Sequence, residues 1–260
     1  MVMMSPRAVA ELPLWQSGLL LTGGAVIGAM IVEWTARKLI PHEVRVEHNA
    51  VVSAVFTVVG TTYAVLLAFV AMLALEGYNK AEAVSGHEAS LVEDVFELMS
   101  ALNGPGPEGM RQDIVAYTRH VVADEWPAQA RGQSVPEQVS ALQRLTQSAL
   151  RVRPDDTALY AILLEKVTAL GAARRERLAA ARASIPAIVW FVLIAGGGIS
   201  VLFASLLGAP KLSMQLVTSS LLALSGALVL LVVVALSNPF EGDLAISDQP
   251  FQRVLMEMAN

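Results

Sequence analysis

The sequence NAVVSAVFTVVGTTYAVLLAFVAMLAL, residues 49–75, is the longest run in the chain without a charged side chain, and it passes directly into a polar, helix-patterned region. It reads as a membrane span. As an α-helix, Ala50 to Leu75 rises about 39 Å, more than the roughly 30 Å of a hydrocarbon core, so the span tilts or protrudes. Its faces differ. Asn49, Ser53, Thr57, Gly60, Ala64, Ala68 and Ala71 recur at steps of three or four as a small or polar stripe, while Val52, Val55, Val59, Leu66, Phe69 and Val70 lie elsewhere. Such a stripe packs against another helix or faces water. Where several copies meet at an axis, bulky residues beside it form a constriction that gates by dewetting. Phe56, Tyr63 and Leu67 share roughly one side and suit that role, although each equally suits an interhelical or lipid-facing position. With Ser53, Thr57, Gly60 and Ala64 they make up the pore-lining candidates.

Composition agrees with a membrane protein: 55% of residues are hydrophobic, 16% are charged, and mean hydropathy is +0.55. The absence of cysteine removes disulfides, thiolate nucleophiles and Cys-based zinc or iron–sulfur sites. A net charge of -5 decides little, because the charge is unevenly distributed.

Upstream, Leu14 to Val32 is a first apolar run bracketed by Trp15 and Trp34, which are spaced to anchor it at the two interfaces. The run is long for a signal peptide and no small-residue cleavage site follows it, so it reads as a retained span. Gly24 and Gly28 have the GxxxG spacing that allows close helix approach. Residues 35–48, TARKLIPHEVRVEH, read as a connecting loop; nothing gathers His42, Glu43, Glu47 and His48 around one centre, so they read as solvated. Downstream, Ile185 to Leu207 forms a third span with Pro186 at its start and Gly196, Gly197 and Gly198 in its middle. Leu216 to Leu236 forms a fourth, and a polar tail follows. The organisation is thus 1–48, first span and loop; 49–75, second span; 76–184, helical domain; 185–236, third and fourth spans; 237–260, tail.

The 76–184 region is helical throughout. Leu91, Val95, Leu98 and Leu102 continue the second span as a helix until Asn103–Gly106 stop it. A second helix runs from Pro107 to Trp126, ended by Pro127; Ser134, Pro136 and Glu137 announce a third; after a break at Arg153–Asp155, a fourth starts near Asp156. The outgoing helix is acidic, with Glu76, Glu82, Glu88, Glu93, Asp94 and Glu97, whereas the returning one carries Arg174, Arg175, Arg177 and Arg182. Run antiparallel, Arg174, Arg175 and Arg177 pair with Glu82 and Glu88 as exposed pairs worth about 0–1 kcal/mol. The alternative is that these arginines attract anionic lipid heads.

No phosphate loop, HExxH or GxSxG motif is present, and His87 and His120 are single histidines without an evident partner. Within the spans only Tyr63 is ionisable, which disfavours proton relays and coupled transport. The chain is therefore not expected to be an enzyme, and no metal or cofactor is expected. Arg7, Lys80 and the arginines at 174–182 outnumber Arg37, Lys38, Arg45 and Lys211, which places the helical domain in the cytoplasm.

Several short marks recur in one order: GTTYAVLLAFV at Gly60–Val70, Tyr78, Ala81, HEA at His87–Ala89 with Glu88 at its centre, Tyr117, EWP at Glu125–Pro127, and NPFEG at Asn238–Gly242, containing Pro239 and Phe240, followed by Pro250 and Phe251. Together they resemble the bestrophin-like domain family of bacterial and plant membrane proteins. That resemblance implies a distant likeness to bestrophins, which are oligomeric anion channels with four transmembrane helices and a helical cytosolic region. It also implies that the second span lines a central pore. The dense acidic calcium cluster of animal bestrophins has no counterpart, since Glu241, Asp243 and Asp248 are scattered, so calcium gating is not expected. In EWP, packing by Trp126, helix termination by Pro127 and solvation of Glu125 give a purely structural account.

The expectation is an all-α membrane protein with four spans and a cytosolic helical bundle, acting as a homo-oligomeric ion channel with anions the first guess. The alternative is a non-conducting sensor or scaffold whose cytosolic domain binds a partner. Expected partners are the lipid bilayer, further copies of the chain and small inorganic ions, with no nucleic acid. The expected setting is a bacterial inner membrane, with the N-terminus, the 76–184 domain and the C-terminus cytoplasmic.

Overall fold

The computed structural model describes residues 13–102, 107–133, 141–152, 156–209 and 211–259. The lead before Pro13, the stop at Asn103–Gly106, the capping signal at Ser134–Glu137 and the break at Arg153–Asp155 lie outside these residues. Among the described residues every regular element is helical: α1 (Leu14–Leu39), α2 (His42–Glu47), α3 (Asn49–Ala101), α4 (Pro107–His120), a π-helical turn (Val121–Glu125), α5 (Trp126–Ala130), α6 (Ala141–Arg151), α7 (Thr157–Arg182), α8 (Ala187–Leu206), α9 (Leu212–Leu236) and α10 (Gln249–Ala259). Four helical stretches are long and apolar enough to cross a membrane: Leu14–Leu39, Asn49–Ala101, Thr157–Leu206 and Leu212–Leu236. The chain divides into a membrane unit, Met1–Glu76 with Ser184–Ser237, and a helical unit, Gly77–Ala183 with Asn238–Asn260.

With no proline to interrupt it, α3 continues without a break for 53 residues, about 80 Å of helix. In the membrane unit, α1 packs against α9 and α8. Leu67, Val70 and Ala74 of α3 close a core with Leu193 and Val233. The three glycines of α8 do not break it. A Cβ on Gly196 would lie 2.6 Å from Cδ2 of Tyr63, and one on Gly197 would lie 3.0 Å from its hydroxyl, so both glycines make room for the tyrosine ring. Gly196→Ala is accordingly expected to cost about 1–3 kcal/mol in thermal unfolding. Most of that penalty should vanish in combination with Tyr63→Ala, and an equal penalty in both backgrounds would show that the ring is not the obstacle. Gly24 and Gly28 face open space instead, so no helix among the described residues uses their GxxxG spacing.

Residues 35–48 differ from the expected loop: α1 continues to Leu39, and α2 occupies His42–Glu47. Long-range polar contacts hold this stretch in place. Asn49 Nδ2 donates to the Gly208 carbonyl (3.1 Å) while its Oδ1 accepts from the Gly208 N–H (2.7 Å). His42, Glu43, Glu47 and His48 form no cluster able to hold a metal.

The helical unit has a single apolar core built from Leu91, Val92 and Val95 of α3, Met110 and Ile114 of α4, Leu145 of α6 and Leu163, Val167 and Leu170 of α7. Asp156 caps α7, its Oδ1 accepting from the N–H groups of Ala158 (2.8 Å) and Leu159 (3.0 Å), a contribution of about 1 kcal/mol. Two sequence expectations change here. Pro127 does not end the second helix, which continues through α5 to Ala130. In a regular helix the proline ring collides with the carbonyl four residues back, but the π turn is already widened, with the Trp126 N–H bonded to the Val121 carbonyl. The C-terminal residues, read as a polar tail, are folded into the core: Phe240, Ile246, Phe251, Val254 and Met258 are all buried. Phe251, Val254, Leu255 and Met258 recur at steps of three and four, an apolar helix face that reading the segment as a polar tail passes over.

Candidate functional site

The pore-lining candidates fall on two sides of α3. Leu67 is buried, and Tyr63 is partly buried against the same core and against Gly196. Phe56, seven residues before Tyr63, is also half-buried. By contrast, Ser53, Thr57 and Ala64 are exposed in the single chain, with Gly60 half-exposed between them. Thr57 and Thr62 turn their hydroxyls back to the helix carbonyls of Ser53 (2.9 Å) and Val58 (2.9 Å), which satisfies them without a partner from another helix. The exposed flank is therefore uncharged, small and mildly polar.

The helical unit holds a buried ionic network. Arg177, fully buried on α7, donates from Nε to Glu88 Oε2 (2.7 Å), from Nη2 to Glu88 Oε1 (3.1 Å) and Glu125 Oε2 (2.6 Å), and from Nη1 to Gln129 Oε1 (2.8 Å). Arg174 donates to Glu125 Oε1 from Nε (3.0 Å) and Nη2 (2.6 Å), and the Tyr117 hydroxyl donates to Glu88 Oε1 (2.6 Å). Two glutamates and two arginines make the set neutral, as burial requires. Burial alone would raise the carboxyl of Glu125, but Arg177 and Arg174 outweigh it and hold the group below its ordinary range. The Tyr117 phenol is pushed well up by burial and by the Glu88 carboxylate, and the Arg177 guanidinium, though buried, is raised by Glu88 and Glu125.

An aromatic layer adjoins the network. The Trp126 ring meets Phe240 edge-on at 5.5 Å and Phe251 at 5.6 Å, with the Arg177 guanidinium 5.4 Å from its centre. Its Nε1 donates to the Ile246 carbonyl (3.1 Å), and the Tyr78 hydroxyl donates to that of Leu244 (3.0 Å). The turn between carries Gly242 at φ 74°, while Gly132, at φ 63°, lies where an added Cβ would be 2.8 Å from Glu241 Oε1. Pro239 contributes its carbonyl to the Ile246 N–H (2.8 Å). Glu88, Tyr117, Glu125, Trp126, Pro239, Phe240 and Gly242 thus converge on one region of the helical unit, and Pro127 follows the π turn that delivers Glu125. Of the arginine and glutamate candidates, Arg174, Arg177 and Glu88 belong to this network, whereas Glu82 and Arg175 are exposed and pair with none of them. Glu125 is buried, not solvated.

A second polar knot, absent from the sequence reading, lies in the membrane unit. Fully buried Glu33 of α1 accepts from Arg45 Nη1 (3.4 Å) and Arg37 Nε (3.3 Å). Arg45 also donates to the Ser205 carbonyl (3.1 Å), and Gln215 accepts from Arg37 Nη2 (3.0 Å) while donating to the Ser205 carbonyl (3.2 Å). The one available signal is the four-residue spacing of Glu33 and Arg37 at the end of an apolar run.

The family model described as the bestrophin-like domain matches residues 23–251, from within α1 to the start of α10. The chain belongs to this family. The bestrophin-like match encloses both polar knots and the aromatic layer, and it bears out the resemblance carried by GTTYAVLLAFV, EWP and NPFEG. Among solved structures, the bestrophin-like chain is similar to three point variants of a bacterial bestrophin homologue from Klebsiella pneumoniae. Their TM-scores are 0.69, 0.67 and 0.68, at 12%, 13% and 14% identity, with 94%, 94% and 93% of this chain and 99%, 99% and 97% of those chains covered. At such identity the likeness establishes the bestrophin fold, and with it the all-α multi-pass architecture. No curated protein sequence matches the chain.

Proposed function

We propose that the protein is a homo-oligomeric ion channel in which the Ser53, Thr57, Gly60 and Ala64 flank of α3 lines the conducting path. The observation that carries this reading is the exposure of that flank in a single chain. Tyr63 and Leu67 are committed to contacts within the chain, whereas Ser53, Thr57 and Ala64 of the same helix stay exposed among the described residues and carry no charge. The open GxxxG of α1 offers a second surface for close approach by another copy. Bestrophin-like membership makes anions the first ions to test, and the lysine and arginine distribution orients the helical unit towards the cytoplasm of a bacterial inner membrane.

Current through planar bilayers containing purified protein tests the proposal directly. Unitary steps whose reversal potential follows an imposed chloride gradient are expected. Steps that ignore chloride would remove the anion assignment, and silence across voltages in several lipid compositions would favour the sensor or scaffold.

A further inference from the structure

We infer that neighbouring copies of the chain join through an acidic stripe on α3 and a basic stripe on α7 of the helical unit. The inference rests on the oligomer proposed above and names the surface that forms it. Glu82 and Glu93 are about three helical turns apart and so share one face of α3; Arg175 and Arg182, about two turns apart, share one face of α7. Glu82, Arg175 and Arg182 are exposed and Glu93 is partly exposed, and among the described residues none of the four pairs with an opposite charge. Glu93 is instead crowded by like charge: burial, then Glu257 and Glu97, raise its carboxyl, and it shares a hydrogen bond with Glu257. An acidic face in this condition is stabilised by an incoming cation.

The heights of Glu82 and Arg182 match. Glu88–Arg177 and Asp94–Lys166, each closing at 2.7 Å, fix α3 and α7 antiparallel. The two pairs place Arg182 level with about positions 78–83 of α3 and Arg175 with about positions 85–90. Within one chain these residues form no ion pair among the described residues. In a ring whose axis runs along the two helices, residues keep their height from copy to copy, so Glu82 of one copy meets Arg182 of the next, while Glu93, at least about 4 Å beyond the level of Arg175, adds negative charge beside the contact. Such an acid-to-base contact is heterologous, the type that closes into a ring.

The absence of cysteine gives a clean test. Full-length chains carrying Glu82→Cys and separately tagged chains carrying Arg182→Cys are co-expressed in membranes and treated with a short bismaleimide. A doubly tagged two-chain species is expected, and it should require both cysteines. Arg182→Glu should weaken assembly in low salt by about fivefold per contact, with recovery on adding Glu82→Arg. A native mass of one chain in lipid nanodiscs would overturn the oligomer itself. A multi-chain mass with no cross-link and no effect of Arg182→Glu would leave the oligomer standing and remove these stripes as its joint. Reversal that abolishes binding to anionic vesicles while assembly is unchanged would assign the arginines to lipid.

Discussion

Arg177→Met is expected to lower the stability of the helical unit by about 3–5 kcal/mol, because it removes one charge from a buried neutral set of four. Glu88 loses both of its guanidinium contacts, Glu125 loses one of its two arginines, and Gln129 loses its donor. The arithmetic of the set suggests the control. Arg177→Met leaves two carboxylates against Arg174, whereas Arg177→Met with Glu88→Gln restores neutrality and should recover more than half of the loss. Thermal unfolding of the intact protein in detergent reads both, with a fall in midpoint of about 10 °C for the single variant. Glu176→Gln, at an exposed position of the same helix, should stay within about 0.5 kcal/mol of the parent. A cost below about 1 kcal/mol for Arg177→Met, or a further loss on adding Glu88→Gln, would mean that the network does not hold the unit together.

Ala64→Phe is expected to reduce unitary current at least roughly tenfold, which needs only about 1.4 kcal/mol added to the permeation barrier. Repeated around an axis, one aromatic ring per copy narrows the path and repels water, while Ala64→Ser should leave it open. Val65, half exposed on the adjoining apolar flank, supplies the comparison. Val65→Phe adds similar bulk where lipid can yield and should leave current near the parent value. Equal currents for parent and Ala64→Phe, in protein that conducts and assembles, would move the path to another face of α3.

The pattern of legibility follows from the range of the interactions involved. The spans, α3 running past the membrane segment, and the start of α7 at Asp156 are written in local periodicity and capping, and they appear where the sequence places them. Burial of charge is not local. Glu125 is read as solvated because its partners Arg174 and Arg177 lie 49 and 52 residues away, and Glu88 meets Arg177 across 89. Glu33 goes unnoticed for a related reason, since its buried partner Arg45 comes from another helix, 12 residues along the chain. Pro127 signals a helix end by every local rule, and only the π turn before it reverses that reading. In the C-terminal residues the stripe of Phe251, Val254, Leu255 and Met258 is local and legible, whereas the burial of Phe240 and Ile246 depends on distant Trp126 and Tyr78, which bond the Ile246 and Leu244 carbonyls.

That folded C-terminal segment sets an order for biogenesis. Phe240 and Phe251 complete the packing around Trp126, yet both are translated after α8 and α9. During synthesis, residues 77–183 must wait beside the translocon with their tryptophan pocket open until two further hydrophobic helices have left the ribosome. A nascent chain arrested just after α9 would accordingly be protease-sensitive at Trp126, and release of the last two dozen residues would close the domain from its far end.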